Sequence, residues 1–237
     1  MKIKTLYITA LCVIAVCVCI LLISAFSNSA VHTSSESVTA DMPHVIIDAG
    51  HGGEDGGAAV DGVLEKDINL NIANKLADML RLCGYDVTEI RDDDISVYTD
   101  DAETLRQKKT SDLKRRAEIF NEDEKNIVVS IHQNKFENSA YCGAQIFYSV
   151  NNEKSAVLAE SIRKSVITLL QKENTRELKP AGSDIYVLDR AEVPAVIVEC
   201  GFLSNDTERA KLLDEQYQSE MAYAVAMGVL EYTEKER

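Results

Sequence analysis

The sequence predicts a single α/β domain with a mainly parallel or mixed central sheet flanked by helices, preceded by one N-terminal transmembrane helix. Three observations predict it. From Met42 onward, short apolar runs of strand length alternate with amphipathic stretches of helical length. The strand runs are apolar enough for a sheet covered on both faces, which is the habit of parallel sheets. Apolar residues make up 46% of the chain, which suits a packed body and excludes a natively unfolded acidic chain.

Taken in order, residues 1–4 form a short N-terminus that holds Lys2 and Lys4. Residues 5–26 are 22 positions without a charge, enough for a helix of about 33 Å, close to the hydrocarbon thickness of a bilayer. The next basic residue is Lys66, so the positive-inside rule puts residues 1–4 in the cytoplasm and the body outside. Ser27 and Ser29 also resemble residues before a signal cleavage site, and cleavage would make the body a secreted protein. An uncleaved single-pass anchor in the cell membrane is the preferred expectation. Residues 27–42 read as a polar, Ser-rich linker and residues 43–237 as the exported domain.

Within that domain, residues 44–48 read as a buried strand and residues 64–82 as a helix with an apolar stripe that Gly84 ends. Residues 86–90 are a second strand. An acidic loop follows, with Asp92, Asp93, Asp94, Asp100 and Asp101, and then a basic helix over 104–120. That helix reads as a solvated face paired with the acidic loop. Residues 126–131 and 144–148 are strands, 155–170 a helix, 185–188 and 195–198 strands, and 206–232 a closing helical region. No internal repeat appears, and the absence of Trp argues against an appended aromatic sugar-binding module.

The net charge is −14, and the part after position 30 carries about −16 because the first 30 residues hold two lysines and no acid. Such a surface repels phosphate backbones and excludes a nucleic-acid partner. Cys12, Cys17 and Cys19 lie in the apolar segment. Cys83, Cys142 and Cys200 remain, an odd number without paired spacing, and read as free buried thiols.

Two of the four histidines follow strands: His51 after the first, His132 after the third. Glu199 ends the last strand and Glu65 opens the first helix. Ligand sites of open α/β sheets collect beyond the carboxyl ends of strands, so these four are candidates for one site. Zinc in hydrolases commonly takes three ligands from His and carboxylate. His51, Glu65 and His132 match that set, with Glu199 left to accept a proton. A histidine after a strand is often structural, and no short spacing such as H-E-x-x-H ties the four together. The Gly-rich run 50–57 lacks a phosphate-loop ending and carries Glu54 and Asp55, so it reads as backbone passing close beneath a metal and substrate.

At these residues the sequence resembles the zinc-dependent N-acetylmuramoyl-L-alanine amidases of bacterial cell walls. The matching pieces are IDAGHGGEDGGA at 47–58, EKD at 65–67, SIHQN at 130–134 and PAVIVECGFLSN at 194–205. The resemblance implies a mixed sheet flanked by helices, Zn2+ held by His51, Glu65 and His132, and Glu199 as the catalytic glutamate. The implied partner is peptidoglycan, cleaved between muramic acid and the L-alanine of its stem peptide. A closer resemblance is to the germination-specific amidases of spore formers, through RQKKTSDLKRR at 106–116 and GAQIFY at 143–148. It implies a role in muramic lactam formation in spore cortex and a place in the spore intermembrane space. Ala49 stands where the family usually has proline, and Gln133 where a smaller or apolar residue is common. Asn134 and Gln133 are expected to line the substrate cleft. The sequence names no accessory protein. The rival readings are another exported zinc peptidase, such as a carboxypeptidase, and a non-enzymatic wall-binding protein.

Overall fold

The computed structural model describes residues 43–236. The expected anchor over 5–26 and the linker over 27–42 lie outside the described residues. Among the described residues, no helix is long and apolar enough to cross a membrane.

The element order is β1 (His44–Ala49), β2 (Ala59–Val60), β3 (Val63–Leu64), α1 (Glu65–Leu82), β4 (Asp86–Glu89), α2 (Leu105–Phe120), β5 (Ile127–Asn134), β6 (Gln145–Tyr148), α3 (Lys154–Leu169), β7 (Lys179–Pro180), α4 (Tyr186–Arg190), β8 (Ala195–Phe202), α5 (Asp206–Leu212) and α6 (Glu215–Lys235). Six strands form one sheet in the order β4-β1-β5-β8-β6-β7. Neighbours pair in parallel except β6 with β8, which run antiparallel, so the sheet is mixed and mainly parallel.

Both faces of the sheet are buried, which explains the apolar strand runs. Val45, Ile47, Val129, Ile131, Val196 and Val198 point to one side, where Ile72 and Leu76 of α1, Leu158 and Ile162 of α3, and Val225 and Val229 of α6 cover them. Ile46, Val128, Ala195 and Ile197 point to the other and pack with Phe120 of α2 and with Val187 and Leu188 of α4. The period-2 alternation of strand side chains thus feeds two cores from one set of strands.

Several expected boundaries shift. Residues 185–188 are not a strand: Tyr186–Arg190 form a short helix, with the Asp189 N–H donating to the Ile185 carbonyl. A short apolar run is compatible with either state, and here Val187 and Leu188 reach the second core from one helical face. The closing helical region divides at Leu213 and Asp214, because Asp214 caps α6 through the Tyr217 N–H. The β2–β3 hairpin turns on Asp61 and Gly62, an Asp-Gly pair that is a strong hairpin signal.

The basic helix keeps Arg106, Lys109, Lys114 and Arg115 exposed, as the solvated face expected of it, but its pairing differs from the expected one with the acidic loop. Arg116 is buried and donates to Asp48, Asp112 and the carbonyls of Ala49 and His51. Lys108 and Lys109 pair with Glu54 and Asp55 of the Gly-rich run, and the acidic loop's Asp94 takes Lys66 instead. The thiols of Cys83, Cys142 and Cys200 are free, but only Cys200 is buried; Cys83 and Cys142 are exposed.

Candidate metal centre

The carboxyl ends of β1, β5 and β8 lie side by side, because these strands are parallel neighbours. His51 follows β1 by two residues. His132 and Glu199 are register partners across β5 and β8, so their side chains leave the same face of the sheet. Both strands run further than the sequence predicts, so His132, Gln133 and Asn134 belong to β5 and Glu199 to β8. Glu65 reaches the site from the first turn of α1, where the β2–β3 hairpin delivers the chain and the Ala58 N–H donates to its Oε2.

The groups converge closely. His51 Nε2 lies 3.2 Å from Glu65 Oε2, and His132 Nδ1 lies 2.9 Å from Glu65 Oε1. The imidazole rings meet edge to face with centroids 5.1 Å apart. His51, Glu65 and His132 each offer one ligand atom, all within 4.8 Å of one another. Zinc bonds of about 2.0–2.2 Å in tetrahedral array put neighbouring ligand atoms about 3.3–3.6 Å apart. The shortest separations here are somewhat below that, each histidine facing its own Glu65 oxygen, and the donor types are those of a catalytic zinc site.

The backbone supports this convergence. A Cβ on Gly50 would stand 2.2 Å from His132 Nε2, and one on Gly57 would stand 2.6 Å from Glu65 Oε2. Both positions therefore exclude any side chain. His51 itself has φ +62, a left-handed conformation that few non-glycine residues adopt, and it is held there by Arg116 donating to its carbonyl. Arg91 and Asn69 both donate to the Gly50 carbonyl, which fixes the turn from below.

Sequence reasoning missed four residues that support the site. Asp55 Oδ2 lies 3.0 Å from His51 Nδ1, which leaves Nε2 to face Glu65. The spacing His51–Asp55 within one glycine-rich turn carried that signal. Asn69, one helical turn after Glu65, donates to Glu65 Oε1. Arg116 and Arg91 come from distant segments and left no local signal.

Electrostatics separate the two glutamates. Burial works against the Glu65 carboxylate, yet hydrogen bonds from His132 and His51 hold it far below the ordinary range. Burial also works against the His51 imidazolium, but hydrogen bonds to Asp55 and Glu65 push it up to about 9. Glu199 is raised to about 7, chiefly by burial. Its Oε2 is buried with no hydrogen-bond partner among the described residues.

Gln133 does not line the cleft as expected. Strand alternation turns it to the opposite face, where it is buried and donates to Asn69, while its own N–H donates to Glu65 Oε1. Asn134 is half-buried on the His132 face, and its carbonyl accepts from the Leu203 N–H.

Comparison with known proteins agrees with this architecture. The family model described as N-acetylmuramoyl-L-alanine amidase matches residues 45–231. The germination-specific N-acetylmuramoyl-L-alanine amidase of Bacillus subtilis is 33% identical over 196 residues, covering 81% of this chain and 80% of the relative. The solved CwlD amidase of Clostridioides difficile, in complex with the GerS lipoprotein, superposes with a TM-score of 0.78 at 42% identity. That match covers 81% of this chain and 99% of the other. The amidase AmiC2 of Nostoc punctiforme gives a TM-score of 0.67 at 30% identity, covering 81% and 97%. A mixed sheet that gathers two histidines and two glutamates at its strand ends, under a family match spanning nearly all the described residues, makes this chain a member of the N-acetylmuramoyl-L-alanine amidase family.

Proposed function

We propose that this amidase is zinc-dependent, with His51, Glu65 and His132 as ligands and Glu199 as the group that moves the proton during hydrolysis. The observation that carries the proposal is the pairing of a His-Glu-His donor set with a neighbouring carboxyl whose buried oxygen has no partner. When bound, zinc supplies Lewis acidity, which lowers the pKa of water towards about 7 and polarises an amide carbonyl. Asp55 orients His51, while Asn69 and the Gln133 N–H orient Glu65, so the ligand atoms are held before any ion arrives. Glu199, raised to about 7 in the metal-free site and with a free Oε2, is placed to take and give a proton. In the hydrolysis, the lactyl carbon–nitrogen bond breaks as a water oxygen bonds to the carbonyl carbon. The proton accepted by Glu199 then goes to the departing amine of L-alanine.

The likeness to the germination-specific relative supports a role in spore cortex, where removal of stem peptides precedes muramic lactam formation. Residues 5–26 hold the domain at the outer face of the cytoplasmic membrane, facing the spore intermembrane space. Because the C. difficile relative was solved with a lipoprotein, an accessory lipoprotein is the kind of partner proposed here.

The test is digestion of purified vegetative sacculi and spore cortex in parallel by the zinc-loaded protein. Mass analysis should show intact stem peptides released, chelation should stop release, and added zinc should restore it. Loss of terminal residues alone would instead mark a carboxypeptidase, and a zinc content near zero with no products would mark a wall-binding protein.

A further inference from the structure

Beside the metal centre lies a guanidinium whose charge the described residues leave unanswered. Arg176 is half-buried, with its side chain over two aromatic rings: its Cζ is 4.6 Å from the centre of Phe202 and 5.5 Å from that of Tyr141. Nε donates to the Cys142 carbonyl at 2.7 Å, and Nη1 reaches Gln145 Oε1 at 3.4 Å. No carboxylate among the described residues lies within ion-pairing distance of it. What sets it apart is that its guanidinium rests on two aromatic rings at the edge of the sheet. Glu208, which borders the same cavity as Arg176, is taken by the N–H groups of Gly143 and Phe202.

The sheet ties this group to the site. Gln145 and Glu199 are register partners across β6 and β8, so their side chains share one face. Between β5 and β8 the register slips, with His132 opposite Glu199 but Asn134 opposite Phe202. The extra residue on β8 is a bulge, and it turns Phe202 to the same face as Glu199. Arg176 therefore touches Gln145, the register partner of Glu199 on the same face of the sheet. Tyr141 and Phe136, both exposed and packed edge to face at 5.0 Å, continue the aromatic surface beneath Arg176. The open cavity that Arg176 borders, of about 500 Å³, is separate: its lining includes Gln171, Glu208 and Tyr217 and none of the four site residues.

We propose that Arg176 is a specificity-determining residue that binds a free carboxylate of the stem peptide, and so marks the peptide side of the cleft. This rests on the amidase reading above. The chemistry of that substrate decides which part the cation meets. The glycan carries hydroxyl and acetamido groups, and the lactyl carboxyl is consumed in the scissile amide, so the free carboxylates belong to the peptide. The stacked rings of Tyr141 and Phe202, with the bonds to Cys142 and Gln145, hold the guanidinium in place, and its remaining N–H groups can donate to a carboxylate.

The experiment uses the zinc-loaded full chain and two muropeptides that differ only in whether the peptide carboxylates are free or amidated. Arg176→Gln should lower kcat/KM on the free-carboxylate substrate by about ten- to hundredfold through KM, with kcat and zinc content kept. On the amidated substrate it should change little. Arg176→Lys should recover only part of the loss, because it keeps the charge without the planar fork. Equal losses on both substrates, or no loss on either, would overturn the proposal. Failure of the unmodified protein to cleave either muropeptide would instead overturn the zinc amidase reading, and this inference with it.

Discussion

The carboxyl ends of β1 and β8 each carry an acid, and the surroundings treat the two in opposite ways. Asp48 is fully buried, which by itself would favour the protonated form. The Arg116 charge and the Ser130 hydroxyl, which donates at 2.6 Å, reverse that and hold it below the ordinary carboxylate range. Glu199 is half-buried overall, but its Oε2 is shielded from solvent with no hydrogen bond, and it rises to about 7. The first acid is a fixed charge that organises backbone, since Arg116 carries its grip on to the carbonyls of Ala49 and His51. The second is left free to change its proton. Partner count, more than burial, decides which acid is framework and which is chemistry.

Substitutions can test that contrast. Glu199→Gln removes the titrating group while keeping its shape, so amide cleavage should fall by about 10²–10⁴-fold with zinc content unchanged. Full activity in muropeptide release assays would show that Glu199 is not the proton carrier. At Asp48 the effect should be on folding. Arg116→Met leaves a buried carboxylate without its counter-charge and should cost about 3–5 kcal/mol by urea unfolding. A loss confined to activity would mean that the pair does not support the fold.

The two acids should also give opposite pH slopes. For Glu199 the folded pKa of about 7 lies above the ordinary 4.5. Between those values the native state holds a proton that the unfolded chain has released, so stability falls as pH rises through this window, by up to about 3 kcal/mol in the metal-free protein. Glu199→Gln should abolish that fall, and an unchanged slope in the variant would refute the assignment. Asp48 has its folded pKa depressed, so its contribution is present above the unfolded value and is lost as pH falls through the folded one. The smallest effect is expected at Asp55, which touches the site only through His51 Nδ1. Asp55→Asn should weaken zinc binding by about 10- to 100-fold, read by competition with a chromogenic chelator. Unchanged affinity would show that His51 is oriented without it.

Much of the site was legible because its residues sit where the local pattern changes. His51 and Glu199 stand at the end of apolar runs, and Glu65 opens a helix, so strand–helix punctuation pointed at them. The family motifs then joined what spacing could not. Gln133 was misplaced because the sequence predicts β5 too short; once the strand continues to Asn134, alternation sends Gln133 inward. Residues 185–188 show the same ambiguity, since four apolar residues fit a strand or one turn of helix until their neighbours choose.

By itself, then, the sequence determined the alternation of elements, the burial of both sheet faces and the candidate ligands, since period and residue type are local properties. Only the tertiary structure decided which acid keeps a partner. It alone brought Arg116 beneath Asp48, and Arg176 onto the rings of Tyr141 and Phe202 without a counter-charge. Those pairings span long stretches of chain or depend on strand register, and the free energy of a buried charge depends on what surrounds it in space, not on its neighbours in sequence.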